Sequence, residues 1–389
     1  MTGNILRLML SRGLSMVRWN NFPRVVDVTQ MDNVGATLHT ALFLVSLEES
    51  KNETSSPLAG ENGERYGELD RLYIIKKIMF SSFSEFILSD INSGTKNTIK
   101  KLDSEMFEAL YGKAYRYFLN FDMPEPLRKD YENIMFGEKK EKEDRIIYAA
   151  KKYVGYNEAL PNARIFPDMY EIYISEMESE LDILASQLHS LTLLRNNPSF
   201  QKYLSHIYRL SSSLRWNQYS RKTPISVMSH TVVISYITYV IGMMEEDYSD
   251  TMLLEMLLRA VYHDVPEVIT GDIISPTKKA VGGLAELLEK VEAYMLDEYL
   301  FEYIDESYKN FLKPYLLEPF EGKIGKKVKY ADIISAYLEA KIEAPYSQVF
   351  SLKEQDLRKQ VQVMHHPGVE YLLREILFEF EKSEDDSLV

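Results

Sequence analysis

Two histidines and two aspartates in the second half of the chain have the types and surroundings of metal ligands. His263 and Asp264 directly follow the apolar run from Met252 to Tyr262, which is predicted to be a buried helix. His230 stands at the start of another apolar run, and Asp332 lies on an otherwise apolar predicted helix. A carboxylate in such a place is costly unless it binds a cation or transfers protons. We therefore predict one metal site with the ligands His230, His263, Asp264 and Asp332.

The predicted set of two imidazoles and two carboxylates restricts the choice of metal. Nitrogen and oxygen ligands of this kind suit Mn, Fe, Co, Ni or Zn better than Ca, and the two histidines make Mg less suitable. The chain contains no cysteine, which excludes thiolate ligands and disulfide bonds and agrees with a reducing cytoplasm. The competing interpretation for either histidine alone is a hydrogen-bonded residue of the core.

Three further residues could act on a phosphate ester beside this metal. Glu267 stands one helical turn after the first residue of the His-Asp pair, within reach of a water molecule at the metal. Arg215 has a planar guanidinium that matches phosphate, and Trp216 offers a flat apolar wall for a sugar or base. Taken alone, Arg215 and Trp216 would be read as a cation–π pair that caps a helix, and Asp272 as a turn cap.

The composition excludes several other classes of protein. A formal net charge of −14 argues against binding nucleic acid over a broad basic face, although a metal and a few local cations can still bind a small phosphate ester. The longest apolar run, Val232 to Met244, is too short to span a membrane. The arginines at 7, 12 and 18 are compatible with a transit peptide, but the repeat described below makes that segment part of a fold. We therefore expect a cytoplasmic protein.

Most of the sequence has the periodicity of helices, so the predicted fold class is all-α. Besides Met252 to Tyr262, helical spacing extends over Gly282 to Tyr299 and over Val328 to Ile342. The polar, glycine-containing stretch from Glu49 to Glu68 is predicted to be a mobile loop. The charge run from Glu138 to Arg145 is predicted to be a solvated helix start or a linker.

A search for internal similarity finds two related halves. Arg18-Trp19-Asn20 recurs as Arg215-Trp216-Asn217 at an offset of 197 positions, and these are the only two tryptophans in the chain. The segment from Ser84 to Ile91 matches the segment from Pro266 to Ile273 at an offset of 182. We interpret this as an ancient duplication of one helical domain. The predicted domains are residues 1–180, residues 181–380 and an acidic, disordered tail at 381–389.

The first half lacks the predicted metal ligands. The residues that occupy the positions of His230, His263, Asp264 and Asp332 are, in the same order, Asn33, Ser81, Ser82 and Lys151. Asparagine and serine cannot replace these ligands for a transition metal, and a lysine would repel one. Arg18 and Trp19 remain, so this half either binds a nucleotide through them or packs against the active half.

The order His, His-Asp, Asp resembles the HD superfamily of metal-dependent phosphohydrolases. Between about Ser205 and Ile342 the sequence is more closely similar to the bacterial 5′-deoxynucleotidase branch of that superfamily. The motifs that carry this resemblance are Arg215-Trp216, His230, His263-Asp264, Pro266-Glu267-Val268, Thr270-Gly271-Asp272, Pro276-Thr277-Lys278, and Ala331-Asp332 with Ala336-Tyr337-Leu338. The fold that this implies is two tandem HD-like helical domains, the first of them degenerate.

The resemblance implies a role for each matching residue. It implies that the four predicted ligands bind the metal and that Glu267 acts as the acid/base residue. Arg215 would bind phosphate, and Trp216 would pack near the sugar and disfavour a ribose 2′-hydroxyl. Asp272 would contact the sugar or orient water, and Lys278 would border the phosphate site.

The activity implied is removal of phosphate from deoxynucleoside or nucleoside 5′-monophosphates. The alternatives are hydrolysis of a nucleoside triphosphate or another phosphorylated metabolite on the same site, and a regulatory protein that senses nucleotides. Because enzymes of the resembled branch associate as dimers, we expect the two halves to form an intramolecular pseudo-dimer about an approximate two-fold axis. The pseudo-dimer could in turn form homo-oligomers. The expected partner is a small nucleotide, with no nucleic acid and no membrane.

Overall fold

The structure is a computed structural model that describes residues 5–50, 69–88, 91, 93–271 and 281–379. Within these ranges every regular element is helical, apart from two isolated bridges, which confirms the predicted all-α class. The loop predicted from Glu49 to Glu68 lies outside the described residues from position 51 onward, and the predicted tail at 381–389 lies outside them entirely. No helix of the described part is long and apolar enough to cross a membrane.

The helices are numbered in chain order. The first half contains α1 (Ile5–Leu8), α2 (Gln30–Glu49), α3 (Arg71–Leu88), α4 (Ser93–Leu102), α5 (Ser104–Tyr117), α6 (Glu125–Phe136), α7 (Glu141–Ile165) and α8 (Pro167–Gln187). They are followed by α9 (His189–Asn196), α10 (Pro198–Tyr208), α11 (Val227–Met243), α12 (Asp250–Tyr262), α13 (Glu267–Thr270), α14 (Leu284–Tyr299), α15 (Glu306–Leu317), α16 (Gly322–Glu343), α17 (Gln348–Gln362) and α18 (Pro367–Glu379).

The two most deeply buried helices, α2 and α11, form the centre of the molecule. Both are apolar around most of their circumference, as expected for helices that are enclosed on all sides. They pack against each other, with α2 also against α7 and α11 also against α12 and α16. Gly35 permits the close approach of α2 to α11, because a Cβ atom at this position would lie only 2.6 Å from Sδ of Met228.

Both central helices begin in the same way. The side chain of Ser226 caps α11 by accepting from the backbone N–H of Ser229, and Thr29 caps α2 by accepting from that of Asp32. In α2 the Asp32 carboxylate also accepts from the Thr29 backbone, which completes a capping box. These caps fix where the first turn starts and therefore where the buried residues of that turn point.

The turns that precede α2 and α11 also have the same construction. An isolated antiparallel bridge joins Val17 to Thr29 in one turn and Leu214 to Ser226 in the other. Trp19 and Trp216 both have a φ of 56°, and they are the only residues other than glycine with positive φ in the described part of the chain. A bulky side chain seldom adopts this conformation, so its occurrence at both tryptophans indicates that the two turns share one construction.

The first turns of α2 and α11 also touch each other. The Thr29 hydroxyl lies 3.1 Å from the Ser229 hydroxyl, and the Ser226 hydroxyl donates to the Asp32 carboxylate. Thr29 and Ser226 hold the same position in their helices, as do Asp32 and Ser229. The cap of each helix therefore contacts the same position of the other, which is the pattern that a two-fold axis produces.

Candidate metal centre

Three of the four predicted ligands meet between α11, α12 and α16. His230 lies in the first turn of α11, His263 directly follows α12, and Asp332 lies in the middle of α16. One ligand atom from each lies within 4.8 Å of those of the other two, and Nε2 of His230 is 3.4 Å from Oδ1 of Asp332. These residues come from distant parts of the sequence and converge because α11 packs against both other helices.

The fourth predicted ligand, Asp264, lies beside this group. Its Oδ2 atom is 3.1 Å from Nε2 of His263 and 3.7 Å from Nε2 of His230. The same oxygen is 3.4 Å from Nη1 of Arg215. The structure thus brings all four predicted ligand residues together and places one of the predicted phosphate-binding groups next to them.

The two histidines present their Nε2 atoms to the carboxylates because their Nδ1 atoms are otherwise engaged. Nδ1 of His263 is 2.9 Å from the carbonyl oxygen of Ala260. Nδ1 of His230 is 2.9 Å from Oε1 of Glu339 and 3.0 Å from the hydroxyl of Ser335. Both Nε2 atoms are buried without a hydrogen bond to any described residue. Two buried imidazole nitrogens oriented by outer partners and facing carboxylates fit a divalent metal ion.

The two aspartates of the site are held in the charged form. Burial alone would raise the pKa of Asp264, but His263, His230 and Arg215 outweigh it and lower this pKa to about 2. Burial opposes ionisation of Asp332 as well, and the neighbouring His230 and Lys329 outweigh it, so its pKa lies well below the ordinary value. The site therefore offers two carboxylates at neutral pH, which is the form that binds a cation.

His263 responds in the opposite sense. Its burial would lower the pKa of the imidazole, but the charges of Asp264 and Asp332 outweigh burial and raise it. Without a metal, a proton on His263 is therefore stabilised by the same two carboxylates. A metal ion binds in competition with that proton.

Glu339 was not predicted from the sequence, yet it connects most of the site. It is buried, and its carboxylate accepts from Nε of Arg215 at 3.1 Å and from Nε1 of Trp216 at 2.9 Å, besides facing His230. Arg221 donates to it at 3.2 Å. Burial would raise the pKa of Glu339, but Arg215, His230 and Arg221 lower it to about 2. One carboxylate thus orients a predicted ligand and both residues of the Arg-Trp motif.

A second buried acid of α16, Glu343, holds the segment before α11. It accepts from the backbone N–H groups of Lys222 and Thr223 at 2.8 and 2.9 Å. Because α16 carries Asp332, Glu339 and Glu343 along its length, this helix sets the position of the metal site and of the Arg-Trp segment together. The seven- and four-residue spacings of these acids, which place them near one face of α16, are visible in the sequence, although the hydrogen bonds that they accept are not.

Trp216 lies between Glu339 and α17. Besides its hydrogen bond to Glu339, its ring packs edge-on against Phe350 at 5.7 Å, and the Lys353 ammonium lies 4.7 Å from the ring centre. The indole is therefore fixed at its N–H edge and along its side. That Trp216 packs near the sugar and disfavours a ribose 2′-hydroxyl stays a prediction.

Glu267 begins the short helix α13, just after the turn that carries the His-Asp pair. The chain leaves α12 at Tyr262, and the backbone N–H of Glu267 donates to the carbonyl oxygen of Asp264 at 3.1 Å. The negative charge of Glu267 is one of those that raise the pKa of Arg215, so the two side chains lie near each other. The other predicted residues of this region, Asp272 and Lys278, lie outside the described residues.

The corresponding region of the first half has no such metal cluster among its described residues. Asn33 donates to Oε1 of Glu158 at 2.7 Å, in the place where His230 faces Glu339. Glu158 also accepts from Arg18 at 2.9 Å and from Trp19 at 3.1 Å. The carboxylate that holds the Arg-Trp pair is thus present in both halves, whereas the predicted metal ligands occur only in the second.

Comparison with known proteins finds matches to the second half of the chain. Residues 202–380 match the model of the YfbR-like 5′-deoxynucleotidase family. This is the part of the chain that carries the motifs resembling the HD superfamily of metal-dependent phosphohydrolases, and the match supports that resemblance.

The chain is similar to bacterial 5′-deoxynucleotidases. It is 27% identical to a 5′-deoxynucleotidase of Vibrio parahaemolyticus over 188 residues, which are 47% of this chain and 96% of the relative. It is 26% identical to one of Pectobacterium atrosepticum over 190 residues, 47% of this chain and 94% of the relative. A solved HD-domain phosphohydrolase from Listeria innocua covers 46% of this chain and 88% of its own, with 22% identity and a TM-score of 0.41.

Proposed function

We propose that residues 181–380 hydrolyse the phosphate ester of deoxynucleoside 5′-monophosphates in a metal-dependent reaction. The observation that carries this proposal is the pair of buried, unbonded Nε2 atoms of His230 and His263, which face Asp264 and Asp332 beside the Arg215 guanidinium. The similarity to 5′-deoxynucleotidases supports the choice of substrate.

His230, His263, Asp264 and Asp332 would hold the metal. When bound, a divalent metal polarises a phosphoryl oxygen and makes water a stronger nucleophile at neutral pH. The nitrogen and oxygen donors favour Mn, Co, Fe, Ni or Zn over Mg.

The remaining roles fall to the side chains around the ligands. Arg215 is held at its Nε atom by Glu339, which leaves its terminal nitrogens directed towards Asp264 and a substrate phosphate. Glu267 would take a proton from the attacking water or give one to the leaving oxygen. Trp216 would pack beside the deoxyribose and disfavour a 2′-hydroxyl.

The charges near the site favour a monophosphate over a triphosphate. Among the described residues, Arg221 is engaged by Glu339 and Glu343, and Lys329 is engaged by Asp332 at 2.6 Å. Arg215 is left as the cation best placed for phosphate. A triphosphate would need more positive charge than this arrangement supplies.

The proposal is tested by measuring phosphate release from a panel of nucleotides. The full-length protein, stripped of metal and reloaded with Mn, Co, Fe, Ni, Zn or Mg, is assayed with deoxynucleoside and nucleoside mono- and triphosphates. We expect release from deoxynucleoside monophosphates with at least one transition metal. Release from triphosphates alone, or the same release in an Asp332→Asn variant, would contradict the proposal. Asp297→Asn, a change of an exposed aspartate on α14, is the matched control.

We propose in addition that residues 1–180 are a degenerate copy of the catalytic domain, paired with it as an intramolecular pseudo-dimer. The equal φ of Trp19 and Trp216, the equivalent carboxylates Glu158 and Glu339, and the exchanged contacts of the two helix caps support this. The copy would cover apolar surface that otherwise faces water. An experimental structure in which the two halves do not superimpose with Trp19 on Trp216 would disprove the duplication.

A further inference from the structure

A cleft between α3 and α7 in the first half gathers amino groups where the second half gathers metal ligands. The Lys151 ammonium, on α7, donates to the Ser81 hydroxyl, on α3, at 2.9 Å. Lys77 lies one turn before Ser81 on the same face of α3, and Glu85 lies one turn after it. Glu85 is paired with Lys96 at 2.7 Å. The charges of Lys77 and Lys96 both act on Lys151, so three lysines lie near one another in a chain whose net charge is −14. The Lys77 ammonium donates to the carbonyl oxygen of Ile134 at 2.7 Å.

Lys77 also lines a neighbouring cavity of about 790 Å³ between α3 and the start of α7. The charged residues that line it are the bases Lys77, Arg116, Lys139 and Arg145 and the acids Glu141 and Asp144. Cationic groups therefore outnumber carboxylates. Its apolar part is formed by Met135 and Phe136, and the guanidinium of Arg116 lies 5.5 Å from the centre of the Phe136 ring. This volume is large enough for a small organic ligand.

A buried hydroxyl without a hydrogen bond lies beside the other end of the cleft. Tyr111 is 8% exposed, and its hydroxyl makes no hydrogen bond to any described residue. The Lys96 ammonium lies 5.9 Å from the centre of its ring, and the charge of Glu85 acts on the phenol. A buried hydroxyl of this kind ordinarily has a partner, so the site offers a donor that the protein itself does not use.

The positive charges of Lys77 and Lys96 repel that of Lys151. Lys151 lies at the surface, and the protein around it lowers the pKa of its ammonium. Lys96 and Lys77 add to this shift, whereas Glu85 and Asp144 oppose it. Burial lowers the pKa of Lys77 as well, and Asp144 opposes that shift. An anion placed between Lys77 and Lys151 would relieve this repulsion.

We propose that the cleft between α3 and α7 binds the phosphate group of a small phosphorylated molecule without a metal ion. Lys77 and Lys151 would contact the phosphate, and Ser81 would donate to it. Met135 and Phe136 would pack against the organic part. Fixed ammonium groups would supply in this half the positive charge that a metal supplies in the other.

The test is calorimetric titration of the full-length protein in a chelator, with inorganic phosphate and with deoxyadenosine monophosphate as the two probes. We expect both to bind, and Lys151→Met and Lys77→Met each to weaken binding by about tenfold or more, since each removes a charge-assisted hydrogen bond. Tighter binding of the nucleotide than of inorganic phosphate would show that Met135 and Phe136 contact the organic part of the ligand. Equal binding would identify phosphate alone as the ligand. Lys129→Met, at an exposed lysine on α6, is the matched control and should bind as the wild type does.

A second variant separates this cleft from the catalytic site. Arg215→Met removes the guanidinium of the second half and should abolish only the binding that the catalytic site contributes, so that the binding lost in Lys151→Met is still present in Arg215→Met. Loss of binding in Arg215→Met with retention in Lys151→Met would overturn the proposal. It would also be overturned if neither phosphate nor deoxyadenosine monophosphate bound at millimolar concentration. If Lys151→Met does not fold, as judged by circular dichroism, Lys77→Met carries the same test.

Discussion

The buried carboxylate of Glu339 lies 2.9 Å from Nδ1 of His230 and so orients the nitrogen that faces Asp332. The same carboxylate accepts from the Trp216 indole. The predicted metal site and the predicted sugar contact are therefore coupled through one acid on α16. Outer partners of this kind commonly change metal affinity by about 10- to 100-fold when they are lost.

Replacement of Glu339 by glutamine should weaken metal binding within that range while the protein stays folded. An amide cannot accept from His230, Arg215 and Trp216 with the strength of a carboxylate, so the imidazole loses its orientation. The measurement is a titration of the metal-stripped protein with Co or Zn, monitored together with circular dichroism. Glu354→Gln, at a buried acid on α17 that pairs with Arg358, is the control. Unchanged metal affinity in Glu339→Gln would show that His230 is oriented by other contacts.

Removal of a predicted ligand should have a larger effect. His263→Ala and Asp264→Ala are each expected to abolish bound metal and phosphate release, because the remaining donors no longer enclose the ion. Metal content by elemental analysis and the circular dichroism spectrum are measured on the same samples. His206→Ala, which changes a partly exposed histidine on α10, should retain both metal and activity. Full activity of either ligand variant after metal stripping would refute the assignment.

Loss of the Glu267 carboxylate should affect turnover alone. Glu267→Ala is expected to keep its metal and to bind substrate, but to release phosphate at least about 10²-fold more slowly, which is the scale of general acid–base catalysis. Comparison of kcat and KM separates this from weakened binding. Glu286→Ala, an exposed change on α14, serves as the control. A rate within a few-fold of the wild type would place proton transfer on another residue.

Much of the fold and the composition of the site could be predicted because they depend on local patterns. The apolar run from Met252 to Tyr262 forms all but the first two residues of α12, which begins at Asp250 after its Ser249 cap. His263 and Asp264 follow this helix directly, so their proximity to each other is fixed by the chain itself. The prediction that His230 and Asp332 join them rested on their apolar surroundings together with the resemblance, because no local pattern by itself determines which distant helices touch.

The connecting role of Glu339 could not be predicted in the same way. Its place on α16 puts it on nearly the same face as Asp332, but its hydrogen bonds depend on how the segment before α11 packs against α16. The lysine cleft was missed for a similar reason. Lys151 was expected to repel a metal, but its distance to Ser81 and its nearness to Lys77 follow from the packing of α3 against α7.

The buried His39 on α2 should make stability depend on pH. Its ring packs against Tyr262 of the other half, and burial lowers the pKa of the imidazole from 6.5 to about 3. Between these values the unfolded chain binds a proton that the folded chain does not, so the free energy of unfolding falls as the pH falls. Between pH 7 and pH 5 this loss should be about 2 kcal/mol.

His39→Leu should remove this contribution. Urea unfolding in a chelator at the two pH values measures the difference, and His206→Leu should keep the dependence of the wild type. An unchanged dependence in His39→Leu would assign the effect to other groups.

Replacement of Asp32 by alanine should show whether the contact between the two central helices stabilises the protein. Asp32 is buried, completes the capping box of α2 and accepts from the hydroxyls of Ser226 and Ser229 on α11. Its loss removes a cap and leaves both serine hydroxyls without that acceptor, which should lower the free energy of unfolding by about 3 kcal/mol. Asp103→Ala is the matched control, because Asp103 caps the exposed start of α5 without touching the other half, and its loss should cost about 1 kcal/mol. Both values are measured by urea unfolding at pH 7. If Asp32→Ala costs no more than Asp103→Ala, the hydrogen bonds between α2 and α11 do not hold the halves together, and apolar packing at Gly35 and Met228 must do so.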